Sequence, residues 1–263
     1  MDPRPSGSTL PRLVEIMRRL LAPGGCPWDR AQSLQSLRSY VIEEAYEVVE
    51  AVEAGQPDPL CEELGDLLLQ IVFQAELARA RQWFGIDDVV SGICDKLVRR
   101  HPHVFGDEHV ADAAQVVVNW ERIKAAEKAG RGVLDGVPKN LPALLAAQRL
   151  GEKAARLGLD WPEVAAVRRK LAEELSELDA AIAAGDQANA LDELGDVLFT
   201  LANLGRKLGH DPELALRGSL TRFRARVRYV EAALRTRGKT PEGASSEELD
   251  ALWAEAKQRT ADE

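Results

Sequence analysis

Apolar positions recur at steps of three and four along most of the chain. From Leu10 the series Leu13, Ile16, Met17, Leu20 and Leu21 predicts a first helix, which Pro23, Gly24, Gly25 and Pro27 end in a tight Cys26-Pro27-Trp28-Asp29 loop. Trp28 is expected to anchor that loop. Leu34, Leu37, Val41, Ala45, Val48 and Val52 form one stripe of a helix over about 34–53, stopped at Gly55 and Pro57. At about 100° per residue Glu43, Glu47 and Glu50 fall opposite the stripe, and Glu44 between the two is expected half-buried.

The next segment, about 60–80, is apolar around most of its circumference (Leu64, Leu67, Leu68, Leu69, Ile71, Val72, Phe73, Ala75), which predicts a central, buried helix. Glu63, Asp66 and Gln70 make a narrow polar stripe along it. Gly65 stands mid-helix, where glycine loses about 1 kcal/mol against alanine, and implies close approach of a helix or ligand. Further helices are expected over about 87–100, with Lys96, Arg99 and Arg100, and over 112–129, with Trp120 and Lys124 spaced i, i+4. His101-Pro102-His103 breaks between them. Its two histidines suit loop packing or, alternatively, a metal.

After a Gly- and Pro-rich stretch the plan returns. Helices are expected to about Leu157, over 163–184, over 190–208, over 212–237 and from Ser246, with Gly158-Leu159-Asp160-Trp161-Pro162 in place of the earlier loop. Glu173, Glu174, Glu177, Glu193 and Asp196 repeat Glu43, Glu44, Glu47, Glu63 and Asp66, every one displaced by 130 residues, and Gly195 repeats Gly65. Arg222 and Arg226 keep the spacing of Lys96 and Arg100, and Trp253 and Lys257 that of Trp120 and Lys124. No strand-like alternation of useful length interrupts the pattern, so the fold reads as all-α in two tandem helical domains. The expected divisions are a loose tail over 1–9, a domain over 10–129, a linker over 130–142 and a domain over 143–263; 263 residues suffice for two domains of ordinary size.

Composition narrows the partners. A net charge of −9 argues against direct nucleic-acid binding, which needs a basic surface. It leaves room for a polyanionic small substrate, because acidic clusters reach phosphates through bridging divalent cations. Cys26, Cys61 and Cys94 are odd in number and far apart, without a C-x-x-C, and read as partly buried thiols in a reducing compartment. The N-terminus lacks the apolar core of a signal peptide, and no apolar run approaches the roughly 20 residues of a membrane span. A cytoplasmic protein is expected.

Four to five carboxylates on adjacent helices offer only hard oxygen ligands, which suit Mg²⁺, or Mn²⁺ in its place, over zinc or copper. An isolated E-E-x-x-E is a common solvated face paired with Arg and Lys. Its duplication together with E-L-G-D inside an apolar helix favours metal binding, since buried carboxylates cost several kcal/mol without a cation. A ferritin-like di-iron centre needs Glu-x-x-His, and none of His101, His103, His109 and His210 has a Glu three residues before it. Basic residues on the third helix are of the type that holds phosphate oxygens, and a Trp face suits a nucleobase. The competing class is a non-catalytic helical interaction module with structural acids.

Cys26-Pro27-Trp28-Asp29, the two E-E-x-x-E and E-L-G-D pairs and Arg99-Arg100-His101-Pro102-His103-Val104-Phe105 resemble the two-domain, MazG-type nucleoside triphosphate pyrophosphohydrolases over about residues 10–259. The resemblance implies helical bundles that dimerise, and Mg²⁺-dependent cleavage of an NTP or dNTP between the α and β phosphorus to a nucleoside monophosphate and pyrophosphate, in nucleotide-pool sanitation. It implies metal ligands Glu174, Glu177, Glu193 and Asp196 in the second copy, with Glu173 supporting them or activating water. Lys170, Arg222, Arg226 and Lys257 fall to the phosphates and Trp253 to the base or sugar. In the first copy Glu44, Glu47, Glu63 and Asp66, beside Glu43, take the metal role, and Lys96, Arg100, Trp120 and Lys124 the substrate role. In two-copy relatives the nucleotide site is most often assigned to the C-terminal copy. Arg222 stands where Lys is frequent, which keeps the charge but changes the hydrogen-bond geometry.

Overall fold

The computed structural model describes residues 9–127, 130 and 132–260. It divides into two compact units, Met1–Ala129 and Gly130–Glu263. The first holds α1 (Leu10–Leu21), α2 (Pro27–Arg30), α3 (Arg38–Ala54), α4 (Pro57–Ala80), α5 (Ile86–Arg100), α6 (Pro102–Phe105) and α7 (Ala113–Glu127). The second holds α8 (Ala143–Ala155), α9 (Val164–Ala184), α10 (Gln187–Lys207), α11 (Pro212–Thr236), a 3₁₀ turn (Pro241–Gly243) and α12 (Ser246–Arg259). Among the described residues there is no strand, and the chain is all-α. The tail expected over 1–9 lies, apart from Thr9, outside the described residues, as do the last two residues of the helix expected over 112–129.

In each unit the E-E-x-x-E helix packs antiparallel-wise through a short turn on the E-L-G-D helix: α3 on α4, α9 on α10. The turn is specified locally. Gly55 and Gly185 cap α3 and α9 with φ of 66° and 69°, a left-handed conformation that L side chains rarely adopt. The next helix starts on Pro57 in one unit, and in the other it is capped by Asp186, whose side chain accepts from Asn189 N at 3.1 Å.

The first core gathers Val14 and Met17 of α1, Leu37, Val72, Phe73 and Ala75 of α4, and Ile86. In the second unit Val167, Ala181, Val197, Ala202, Leu234, Leu252 and Ala256 are buried. α8 lies close on α10 at Gly151, where a Cβ would come 2.1 Å from Asn203 Oδ1. Lys153 of α8 donates to the carbonyls of Val133 and Asp135, so the segment expected as a linker is fastened to the second unit.

Four expectations need correction. The α3 stripe is rotated: Leu37, Tyr40, Val41, Glu44, Val48 and Ala51 face inward, while Ala45 and Val52 are exposed. The hydroxyl-bearing Tyr40 ring and the Glu44 stem fill space that an apolar count assigns to alanine and valine. The E-L-G-D helices are buried on one flank only. Leu64, Leu68 and Ile71 of α4 are exposed, as are Leu194, Leu198, Phe199 and Leu201 of α10. Gly65 and Gly195 meet no atom within 4 Å of a built Cβ, so among the described residues no helix approaches them closely. Lastly, Cys61 and Cys94 are exposed rather than partly buried.

Candidate active site

Periodicity places the acids of α3 and α4 where the two helices face each other. Glu44, Glu63 and Asp66 each offer an oxygen, all within 4.8 Å of one another. Glu44 is half-buried, as its place beside the stripe demanded. Burial, then the charges of Asp66 and Glu47, push its carboxyl above the ordinary range; Gln70 acts the other way, donating from Nε2 to Glu44 Oε1 at 3.5 Å. Glu63 is raised by desolvation and then by Glu47, Glu62 and Asp66. Glu47 is thus electrically part of the cluster although its oxygens are not among the closest three. Glu43 is exposed.

The salt-bridge alternative fails in this unit: among the described residues no Arg or Lys ion-pairs with Glu44, Glu47, Glu63 or Asp66. Gln70, only 7% exposed, leaves Oε1 buried without a partner. Carboxylates that repel one another form a hard, all-oxygen donor set that fits Mg²⁺ or Mn²⁺, and the amide that touches Glu44 keeps an unpartnered oxygen.

In the second unit Glu174, Glu177 and Glu193 come within 4.8 Å. Asp196 is exposed and outside that group, unlike Asp66 at the matching position. Glu174 is buried, and its hydrogen bond with Glu177 is the first cause that raises the Glu177 carboxyl, ahead of desolvation. Lys170 Nζ lies 2.7 Å from Glu173 Oε1 and 3.1 Å from Glu174 Oε1, and these two carboxylates hold its ammonium well above the usual lysine range. Here part of the salt-bridge alternative is realised, through one lysine on the same helix.

Apart from Lys170 on α9, the expected substrate residues sit on other helix pairs. On α5 and α7, Arg100 and Arg99 bind Glu127, whose carboxyl is lowered to about 2, first by Arg100. Lys124 Nζ is 4.0 Å from the Trp120 ring centre, and His101 packs its ring on Trp120 and on His103. His101 Nδ1 lies 2.7 Å from Leu97 O, so the histidines pack the helix junction. Lys96 is half-buried on α5.

On α11 and α12, Arg226 donates to Thr260 Oγ1 at 2.8 Å and Arg222 to Ser219 Oγ at 2.9 Å. Trp253 meets Phe223 edge-on at 5.6 Å and lines an apolar groove of about 370 Å³ with Val227, Val230 and Leu234. Lys257 is exposed. Among the described residues none of Arg222, Arg226 and Lys257 ion-pairs with the acids of α9 and α10. The acids therefore assemble within each unit, with Lys170 paired to them in the second.

Trp28 is more exposed than a loop anchor would be, and its ring meets Tyr40 edge-on at 6.0 Å. Sequence reasoning placed Gln70 on the polar stripe of α4 without giving it Glu44 as a partner. It missed Tyr40 altogether, although the 130-residue register sets Tyr40 against Lys170.

The description "MazG nucleotide pyrophosphohydrolase domain" matches residues 32–105, which span α3, α4 and α5. "Phosphoribosyl-ATP pyrophosphohydrolase" matches residues 154–217, which span α9 and α10. Over 257 residues the chain is 40% identical to the nucleoside triphosphate pyrophosphohydrolase of Escherichia coli K12, covering 95% of this chain and 98% of that protein. It is 42% identical to the nucleoside triphosphate pyrophosphohydrolase/pyrophosphatase MazG of Thermotoga maritima, over 96% and 97% of the two chains. With the protein YabN of Bacillus subtilis it shares 44% identity over 92% of this chain and 50% of the other. Matched acid-bearing helix pairs in both units and identity along nearly the whole chain lead to one assignment: the protein belongs to the MazG family of nucleoside triphosphate pyrophosphohydrolases.

Proposed function

We propose that the protein hydrolyses nucleoside triphosphates, ribo or deoxy, between the α and β phosphorus, releasing a nucleoside monophosphate and pyrophosphate. The observation that carries this reading is the pair of three-carboxylate groups at matching positions, in a chain 40% identical to an enzyme named for that reaction. Glu44, Glu63 and Asp66, with Glu47, would hold Mg²⁺ or Mn²⁺ in the first unit; Glu174, Glu177 and Glu193, with the exposed Asp196, would do so in the second. When bound, such a cation would supply positive charge to the phosphate oxygens and lower the pKa of a water so that it loses a proton and attacks as hydroxide.

The protein's own groups do the rest. Glu173, exposed beside the buried Glu174, accepts the proton of the attacking water at a carboxylate oxygen. Lys170, Arg222, Arg226 and Lys257 draw the outer phosphate oxygens, and Trp253 offers its face to the base. In the first unit Lys96, Arg100, Trp120 and Lys124 take those parts, with Arg100 exchanging Glu127 for phosphate. A homodimer belongs to the same reading. Leu64, Leu68 and Ile71 on α4, and Leu194, Leu198 and Leu201 on α10, are exposed in the single chain beside the open space at Gly65 and Gly195. The setting is the cytoplasm, where free Cys26, Cys61 and Cys94 stay reduced.

The test is product analysis. Purified protein with an NTP and Mg²⁺ yields equal amounts of NMP and pyrophosphate, and chelation of the metal stops turnover. Orthophosphate with NDP, or no turnover with any divalent ion, overturns the reading.

A further inference from the structure

The two acidic sites differ at one position in charge. Four residues before Glu174 stands Lys170, and four residues before Glu44 stands Tyr40. One helical turn brings either residue over its glutamate. Lys170 uses that place to bind Glu173 at 2.7 Å and the buried Glu174 at 3.1 Å. Tyr40 turns to the hydrophobic core of the first unit and to the Trp28 ring. The partner of Glu44 is the neutral Gln70, with its unpartnered Oε1.

A carboxylate that already holds an ammonium ion attracts a divalent cation less, because the incoming ion must displace the lysine or sit beside a like charge. Lys170 is partly exposed, at 34%, and carries its charge on a flexible four-carbon stem, so an anion arriving from solvent can take it. A triphosphate is such an anion. Among the described residues no lysine or arginine ion-pairs with the acids of the first site.

We infer that Lys170 is the resident counter-ion of the α9–α10 site, so that this site takes up its divalent cation together with a nucleoside triphosphate, whereas the α3–α4 site takes up the cation alone. The inference rests on the reading of both acid groups as metal sites. The triphosphate draws Lys170 off Glu173 and Glu174 and frees both carboxylates. By linkage the metal then raises nucleotide affinity by the factor by which nucleotide raises metal affinity.

Mn²⁺ binding to the full chain, followed by electron paramagnetic resonance with and without an α,β-methylene triphosphate analogue, tests this directly. Without nucleotide the wild type should bind one Mn²⁺ tightly per chain, lost in Glu44→Gln and kept in Glu174→Gln. The analogue should add a second, lost in Glu174→Gln. Lys170→Met should bind that second Mn²⁺ without nucleotide, about tenfold or more tighter than the wild type, and Lys170→Arg should behave as wild type. Two equal Mn²⁺ sites in the nucleotide-free wild type, or Lys170→Met without effect, overturn the inference and leave the metal-site reading standing. If neither glutamate variant changes Mn²⁺ binding in any condition, the metal-site reading fails and the inference with it.

Discussion

Arg18 of α1 donates from Nε to Glu76 Oε2 of α4 at 3.1 Å, and the Glu76 side chain is fully buried. Arg79, one turn on, donates to the same oxygen at 2.6 Å. Two guanidiniums therefore compensate one carboxylate in the first core, and each keeps about half its side chain in solvent. Glu76→Ala leaves a void and unpaired cations facing it. Loss of about 2–3 kcal/mol is expected, less than for a fully buried pair because the arginines can turn to water. Thermal unfolding that reports the first unit measures it; an unchanged midpoint contradicts the account.

At the matching position of α10 the charge is inverted. Arg206 binds Asp160 and accompanies Lys207, and with Arg206 as first cause the Asp160 carboxyl falls from the ordinary 3.8 to about 2. A depressed folded-state value means that the contribution is complete above about pH 4 and disappears as pH falls towards 2. Asp160→Asn should therefore cost about 1–2 kcal/mol at pH 7 and progressively less as pH falls through about 2, after allowance for partial exposure. Denaturant titrations of both proteins across that window give the difference.

Gly151→Ala tests the close approach of α8 and α10. Its Cβ would meet Asn203 Oδ1, which cannot swing aside, since Asn203 is fully buried, donates to Phe199 O and accepts from Arg206. Destabilisation of about 1–3 kcal/mol is expected despite the better helix propensity of alanine. A stabilised variant contradicts the helix contact.

Much of this fold could be read from spacing. Steps of three and four located the helices because each buries one side, and Gly55 marked where α3 ends. The acid groups were readable because both sets keep one register and lie on facing helices. Three features escaped for physical reasons. Whether Leu68 is covered depends on neighbours that a single chain's pattern does not contain. Tyr40 counted as polar or apolar with equal right, so its inward turn was invisible. Glu76 and Arg206 look like solvated charges on amphipathic helices, and only the fold brings Arg18 and Asp160 to them.

The exposed flanks of α4 and α10 predict self-association. Sedimentation should give twice the 28.8 kDa chain mass. Leu68→Lys combined with Leu198→Lys should shift it to the single chain, because lysines cannot be buried unpaired in an apolar contact. A wild-type monomer at micromolar concentration contradicts this part of the reading.

The central claim is that the carboxylate groups on α3–α4 and α9–α10 carry α–β cleavage. Phosphorus NMR of ATP with Mg²⁺, run on wild type and on the Glu44→Gln/Glu174→Gln double variant, tests it most directly. The account predicts AMP and pyrophosphate in equal amounts from the wild type, and a rate at least about 100-fold lower from a folded double variant. Orthophosphate as the wild-type product, or a double variant that cleaves at the wild-type rate, contradicts it.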